Sequence, residues 1–346
     1  INSIQRSKLY TAVNSIAVII NVAVNIVLIT VFKQGIEAIF YSYLVSYSFL
    51  FLISLAYTLK YFGFSFDTHS FKKLLSSAHL FLYFGLFLIS MDLIDRFILE
   101  YYKGTAIVGI YSACYRIGIV MNLAITGFKV AWTPFFMNLK SDESNKEIFS
   151  KIFTYFCYGG LTAFLAFSLL ADDLVKVNIS GYTLLNDKYW SGLVIVPYIL
   201  LAYLFNGLYL NLNVASFFSN KIKYLIISSA AGSASNIAFN FLLIPEYSMT
   251  GAAISTLLSY MVMFFVLYYF SQKTYRIAYE WKPILRASLL TFFLYAINIY
   301  IPQLLNLSYI YVLIIEFLSI FLLFYVLLGP KAIELAKSFR VKKQLK

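Results

Sequence analysis

The sequence predicts an all-α polytopic membrane protein with about ten transmembrane helices, and three observations predict it. Hydrophobic residues are 61% of the 346 and charged residues 12%, whereas soluble globular domains carry roughly 45–50% and about 25%. Apolar runs long enough to cross a core of about 30 Å, which takes about 20 residues, recur ten times. The lysines and arginines between those runs fall almost entirely on alternate sides, as the retention of basic residues on the cytoplasmic side requires.

The runs are residues 10–32, 36–59, 74–99, 106–131, 152–171, 189–218, 224–244, 251–271, 284–301 and 309–328. Arg6 and Lys8 precede the first; Lys33 follows it on the opposite side. The second run returns to Lys60, Lys72 and Lys73, and the third crosses to Lys103. The fourth returns to Lys140, Lys146 and Lys151, the fifth crosses to Lys176 and Lys188, and the sixth returns to Lys221 and Lys223. The seventh and eighth form an out-and-back pair leading to Lys273, Arg276, Lys282 and Arg286. The ninth and tenth end in a tail with six basic residues from Lys331 to Lys346. One side thus holds 20 basic residues and the other 4, with Arg96, Arg116 and Lys129 left inside spans. Both ends are expected in the cytoplasm, in a cell inner (cytoplasmic) membrane. The net charge of +12 is explained by cytoplasmic loops and a tail lying against anionic headgroups, without nucleic acid. The 30 tyrosines and 34 phenylalanines suit wide interfacial belts.

Cys114 and Cys157 lie in apolar runs and read as small buried residues, not as a disulfide or metal pair. His69 and His79 are too few and too isolated for a metal cluster. The chain begins at Ile1 with no basic, cleavable leader before the first run, so a chain cut at its N-terminus is expected.

An internal echo is visible. The first span reads NVAVNIVLI from Asn21 and the seventh NIAFNFLLI from Asn236, at an offset of 215, and Ser46-Tyr47 and Ser259-Tyr260 close the spans that follow. Each Asn-x3-Asn places two amides on one helical face, suited to interhelical hydrogen bonds. Repeated halves are a common plan of transporters, with the substrate path between them.

Four stretches carry a family resemblance: LIDRFIL with Asp95-Arg96, VGIYSACYRIG from Val108, FKVAWTPFF from Phe128, and NFLLIPEYSMTGAAISTLLSY from Asn240. Taken in order, they resemble the Wzx-type polysaccharide or O-antigen flippases of the superfamily that also holds multidrug extruders and lipid II flippases. The resemblance implies fourteen helices in two six-helix lobes plus two, of which this chain matches the fifth to the fourteenth. Residues 1–59 would then be the last two helices of the N-terminal lobe, 60–271 the six-helix C-terminal lobe, and 272–346 two extra helices with a basic cytoplasmic tail. It implies movement of undecaprenyl-diphosphate-linked oligosaccharide repeat units across the membrane by alternating access, for O-antigen or capsule synthesis. The partners are then the lipid-linked substrate, membrane lipids, and the polysaccharide polymerase and chain-length machinery. No cofactor is called for, beyond coupling to a proton or sodium gradient.

Charges inside spans are costly, about 2.5–3.5 kcal/mol on insertion scales, so each should face protein or water. Arg116, near mid-span, is the candidate phosphate ligand, because a guanidinium offers a planar fork of donors; the competing role is an ion pair with Asp92 or Asp95. Asp92, Asp95 and Arg96 form one patch. Either Asp92 and Arg96, four residues apart, neutralise one another, or the patch gates the path or couples it to an ion, with Asp95 the better candidate. Lys129 either snorkels to the interface or meets the incoming diphosphate together with Asn122. Asn206, Asn211, Asn213, Tyr203 and Tyr209 are candidates for a sugar-binding wall. Glu316 reads as a lone carboxylate in the last span, with packing, lipid access or ion coupling as its roles.

A multidrug extruder of the same superfamily is the alternative, but the intramembrane charges are balanced where cation export would want a negative cavity. A membrane-embedded polymerase or acyltransferase would need a large outer loop with basic and acidic residues or a catalytic histidine in a span, and the longest outward loop is only Asp172–Lys188.

Overall fold

The computed structural model describes residues 7–59, 67–139, 143–179 and 182–344. Arg6, Lys60, Lys140 and Lys346 of the charge count, and the side chain of His79, lie outside the described residues. The chain divides within its third helix into two units, Ile1–Leu75 and Ser76–Lys346.

The first unit contains α1 (Ser7–Thr30) and α2 (Glu37–Leu59). Their contact is a stripe of small and polar residues at i, i+4 spacing, which lets the two backbones approach in a medium that gives no hydrophobic drive. Val13 and Ala17 on α1 and Ala38, Ser42 and Ser46 on α2 are buried. Asn25 donates to Ser42 Oγ at 3.2 Å, and Asn21 reaches Ser42 and Ser46 Oγ, each at 3.4 Å. The first Asn-x3-Asn pair therefore does bind across helices. Replacing Asn25 with leucine should weaken this hairpin by about 0.6–1 kcal/mol, the worth of an interhelical bond in lipid, measurable as faster proteolysis between α1 and α2 in detergent. Ile19, Val22, Phe40 and Phe51 stay exposed, as lipid-facing positions should.

The second unit holds the rest of α3 (Thr68–Lys103), then α4 (Thr105–Met137), α5 (Glu143–Lys176), α6 (Val196–Phe218), α7 (Lys223–Thr274), α8 (Trp281–Leu304) and α9 (Tyr309–Gln344). A two-residue antiparallel bridge, β1 (Asn178–Ile179) with β2 (Tyr182–Thr183), follows α5. A 3-10 turn, Asp187–Ile195, enters α6 and is capped by Asn186. Helix α6 forms the centre, with Ile199, Leu200, Leu212 and Val214 fully or almost fully buried. Close approach to its neighbours rests on glycine. A Cβ at Gly118 would sit 2.9 Å from Ile199 Cβ, and one at Gly207 would sit 2.7 Å from Phe156 Cε1.

Eight helical segments among the described residues are long and apolar enough to cross a membrane. The ten runs of the sequence are recovered when two elements are added. Helix α3 has the length, 36 residues, but bears Asp92, Asp95 and Arg96. Helix α7 has 52 residues; straight, it would be about 78 Å long, far beyond one crossing of about 30 Å. It is two crossings. The expected link between the seventh and eighth spans is not an extended loop but a kink at Ser248, with φ 51° and ψ −131°, just after Pro245. Proline removes an amide donor and breaks the ladder, and Lys103 Nζ donates to the Pro245 carbonyl at 2.7 Å. The protein is an all-α polytopic membrane protein.

The second Asn-x3-Asn pair behaves differently from the first. Asn236 and Asn240 are fully buried and bond to one another at 3.0 Å, leaving Asn236 Nδ2 and Asn240 Oδ1 without partners.

Candidate functional site

The charges of α3 meet tyrosines from three other helices. Asp95 is fully buried; its Oδ2 accepts from Tyr111 OH at 2.5 Å, and its Oδ1 accepts from the Arg96 amide at 2.7 Å and from Arg96 Nη1 at 3.3 Å. The Arg96 guanidinium also bonds the Asp92 backbone carbonyl and lies 4.7 Å from the Tyr115 ring and 5.8 Å from the Tyr111 ring. Cation–π contact in a desolvated site is worth about 2 kcal/mol, so Arg96 is held by both charge and ring faces. Asp92 accepts from Tyr260 OH at 3.2 Å, and Tyr203 OH donates to Tyr115 OH at 3.3 Å. Tyr111 and Tyr115, one turn apart on α4, Tyr203 on α6 and Tyr260 on α7 thus enclose one acid–guanidinium cluster.

This geometry corrects the expected Asp92–Arg96 pair. Arg96 takes the carboxylate of its neighbour Asp95, while the Asp92 carboxylate turns to α7. Helical spacing identifies residues that can meet; the rotamer that packs against Tyr115 decides which do.

The other sequence candidates are dispersed. Arg116 is exposed on α4 and forms no ion pair with a described residue; it does not pair with Asp92 or Asp95. Asn122 is half-buried and its carbonyl accepts from Thr126. Lys129, exposed, lines a cavity of about 280 Å³ with Trp132, Thr133 and Asn213. Asn206 is half-buried. Tyr209 is 1% exposed, and its hydroxyl bonds Leu225 O and Ser228 Oγ, each at 3.3 Å, so it fastens α6 to α7. Asn211 is buried and bonds Gly207 O. Glu316 is buried, and its Oε2 has no hydrogen-bond partner among the described residues. Cys114 and Cys157 are free and buried, and Cys114 Sγ donates to Tyr189 O at 3.2 Å.

Sequence reasoning missed Tyr111 and Tyr260. The i, i+4 tyrosines beside Arg116 were a usable signal, since a hydroxyl is the natural partner of a buried carboxylate. Nothing local marks Tyr260.

With this arrangement in hand, comparison with known proteins is informative. A family model described as polysaccharide biosynthesis protein matches residues 3–182, more than half of the chain. The chain belongs to the polysaccharide biosynthesis protein family. Its fold is similar to the solved structure of the lipid II flippase MurJ in an inward closed conformation, with a TM-score of 0.70 at 15% identity. That match covers 91% of this chain and 66% of the MurJ chain. No curated protein sequence matches it.

Proposed function

We propose that this family member is a flippase that carries undecaprenyl-diphosphate-linked oligosaccharide repeat units across the cytoplasmic membrane by alternating access, for O-antigen or capsule synthesis. Residues 1–59 then act as part of one lobe, 60–271 as the other, and 272–346 as two peripheral helices and a tail. Both ends of the chain lie in the cytoplasm on this reading, as the 20-to-4 division of basic residues supports.

The observation that carries the proposal is Arg116. It is a guanidinium on a spanning helix, exposed, with no carboxylate partner among the described residues. Such a charge is tolerated where it meets water or an anionic ligand, not lipid. A diphosphate crossing the membrane needs donors that lipid does not provide, and a guanidinium gives two in one plane. Lys129 and Asn213, at the cavity near the other end of α4, would meet the substrate at the cytoplasmic face. The Asp92–Asp95–Arg96 cluster is the gate or ion-coupling element.

Cells lacking the gene should accumulate undecaprenyl-linked repeat units on the inner leaflet and lose surface polysaccharide. Unchanged surface polysaccharide would sink the proposal. Arg116→Lys should lower export by about 10- to 100-fold, because the loss of one forked, charge-assisted bond is worth about 1.5–3 kcal/mol. Full export by that variant would return Arg116 to a general charge role.

A further inference from the structure

A polar and an apolar cavity adjoin where the start of α5 faces the link between α7 and α8. The polar one, about 550 Å³, is lined by Lys146, Glu147 and Lys151 of α5 and by Arg276 and Glu280 of the link. The apolar one, about 410 Å³, lies among α5, α6, α7 and α8, with Phe153, Leu161, Phe205 and Phe264 on its wall and Lys282 as its charged residue. They border one another along both segments: Lys151 and Glu280 line the first, Phe153 and Trp281 the second. The link is fastened in place. Ser150 Oγ donates to Ala278 O at 2.6 Å, and the Phe153 ring lies 4.5 Å from Tyr279 and 5.9 Å from Trp281. Trp281, exposed, donates from Nε1 to Tyr268 OH at 3.2 Å, the half-wet setting that suits an indole at a membrane interface.

The charges at the polar end do not cancel. Lys151 is tied to Glu147 at 2.6 Å, and Lys146 Nζ stands 4.9 Å from the Tyr275 ring. Arg276 and Lys282 are exposed and form no ion pair with a described residue. Three cations against two carboxylates leave the polar cavity with an excess of positive charge, and Lys282 adds to it. The apolar wall then continues along α5 from Lys151 to Leu161, about 15 Å at 1.5 Å per residue, half of a hydrocarbon core of about 30 Å. A water-soluble anion has no use for that wall, and a cation is repelled by the charge at its mouth. A lipid with an anionic headgroup satisfies both, and basic pockets between spanning helices are where such headgroups bind.

We infer that this paired cavity is a binding site for one anionic phospholipid of the surrounding bilayer. Arg276 and Lys282 hold its phosphate, Lys146 adds to the field, and one acyl chain fills the apolar cavity, bridging α8 to α5. The site needs only that the chain spans a membrane, so it stands if the flippase proposal fails.

The test is titration of the full chain in detergent with phosphatidylglycerol, read by native mass spectrometry. The wild type should retain one such lipid in preference to phosphatidylethanolamine and should melt at a higher temperature with it bound. Arg276→Gln should weaken retention about fivefold, and Arg276→Gln with Lys282→Gln about 25-fold, the factor expected for each basic residue beside an anionic headgroup. Arg286→Gln removes an exposed cation of α8 that lines neither cavity and should leave retention unchanged. Ser288→Phe, which fills the apolar cavity, should weaken retention, and on the wild type the chain-free headgroup glycerophosphoglycerol should not compete. Equal losses for Arg276→Gln and Arg286→Gln would overturn the site in favour of general surface charge. Equal retention of phosphatidylethanolamine, or competition by the headgroup alone, would overturn it as well. Displacement of phosphatidylglycerol by equimolar undecaprenyl phosphate would overturn the assignment to a bilayer phospholipid, since the site would then belong to the isoprenoid.

Discussion

Asp95→Ala is expected to lower stability by about 3–5 kcal/mol, the usual loss when one member of a buried charge pair is removed. Three bonds vanish together: those from Tyr111 OH, from the Arg96 amide and from Arg96 Nη1. The Tyr111 hydroxyl loses its carboxylate acceptor in a fully buried position, and the Arg96 charge keeps only ring faces and the Asp92 carbonyl. A melting temperature about 10 °C below the wild type in detergent is the expected readout. Asp95→Asn retains the volume and one acceptor oxygen, so it should lose clearly less. Equal melting temperatures for Asp95→Ala and the wild type would show that the cluster contributes little to the fold. That result would leave gating or ion coupling as the reason for burying its charges.

Gly251→Ala should be about as damaging, by steric and not electrostatic means. A Cβ at Gly251 would sit 2.6 Å from the Leu243 carbonyl carbon and 3.0 Å from the Ile244 nitrogen. Those are backbone atoms across the kink of α7, and they can yield only if the kink opens. Overpacking costs about 1–3 kcal/mol where side chains can adjust, so the upper end or more is expected here, read as lower melting temperature and loss of monodisperse protein. Gly159→Ala is the control: nothing lies within 4 Å of its Cβ position, and alanine in a helix interior is favoured over glycine by about 0.5–1 kcal/mol. Similar behaviour of the two variants would mean that the kink is not held by close approach at Gly251.

The glycine contrast also shows what sequence reading can reach. Gly159 and Gly160 are adjacent in α5 and indistinguishable by residue type. In the fold only Gly160 abuts Leu204 of α6, while Gly159 meets nothing. Adjacent residues on a helix point about 100° apart, and which direction holds a neighbour depends on helices distant in the chain. Tyr209 repeats the lesson: a residue type suited to a sugar wall is used to fasten α6 to α7.

By itself, the sequence determined the solvent, the number of crossings and the direction in which each is expected to run. Those follow from lengths of apolar chain and from charges between them, both local and additive along the sequence. It also determined that the face of α3 bearing Asp92, Asp95 and Arg96 must turn from lipid, because uncompensated charge there is too costly. Only the tertiary structure decided the partners. Tyr260 stands 168 residues from Asp92, and Tyr203 stands 88 residues from Tyr115. Such pairings depend on how helices pack and which rotamers that packing permits. In a membrane, packing is driven by close fit and hydrogen bonds between spans, and no single span records which surface of another it will meet.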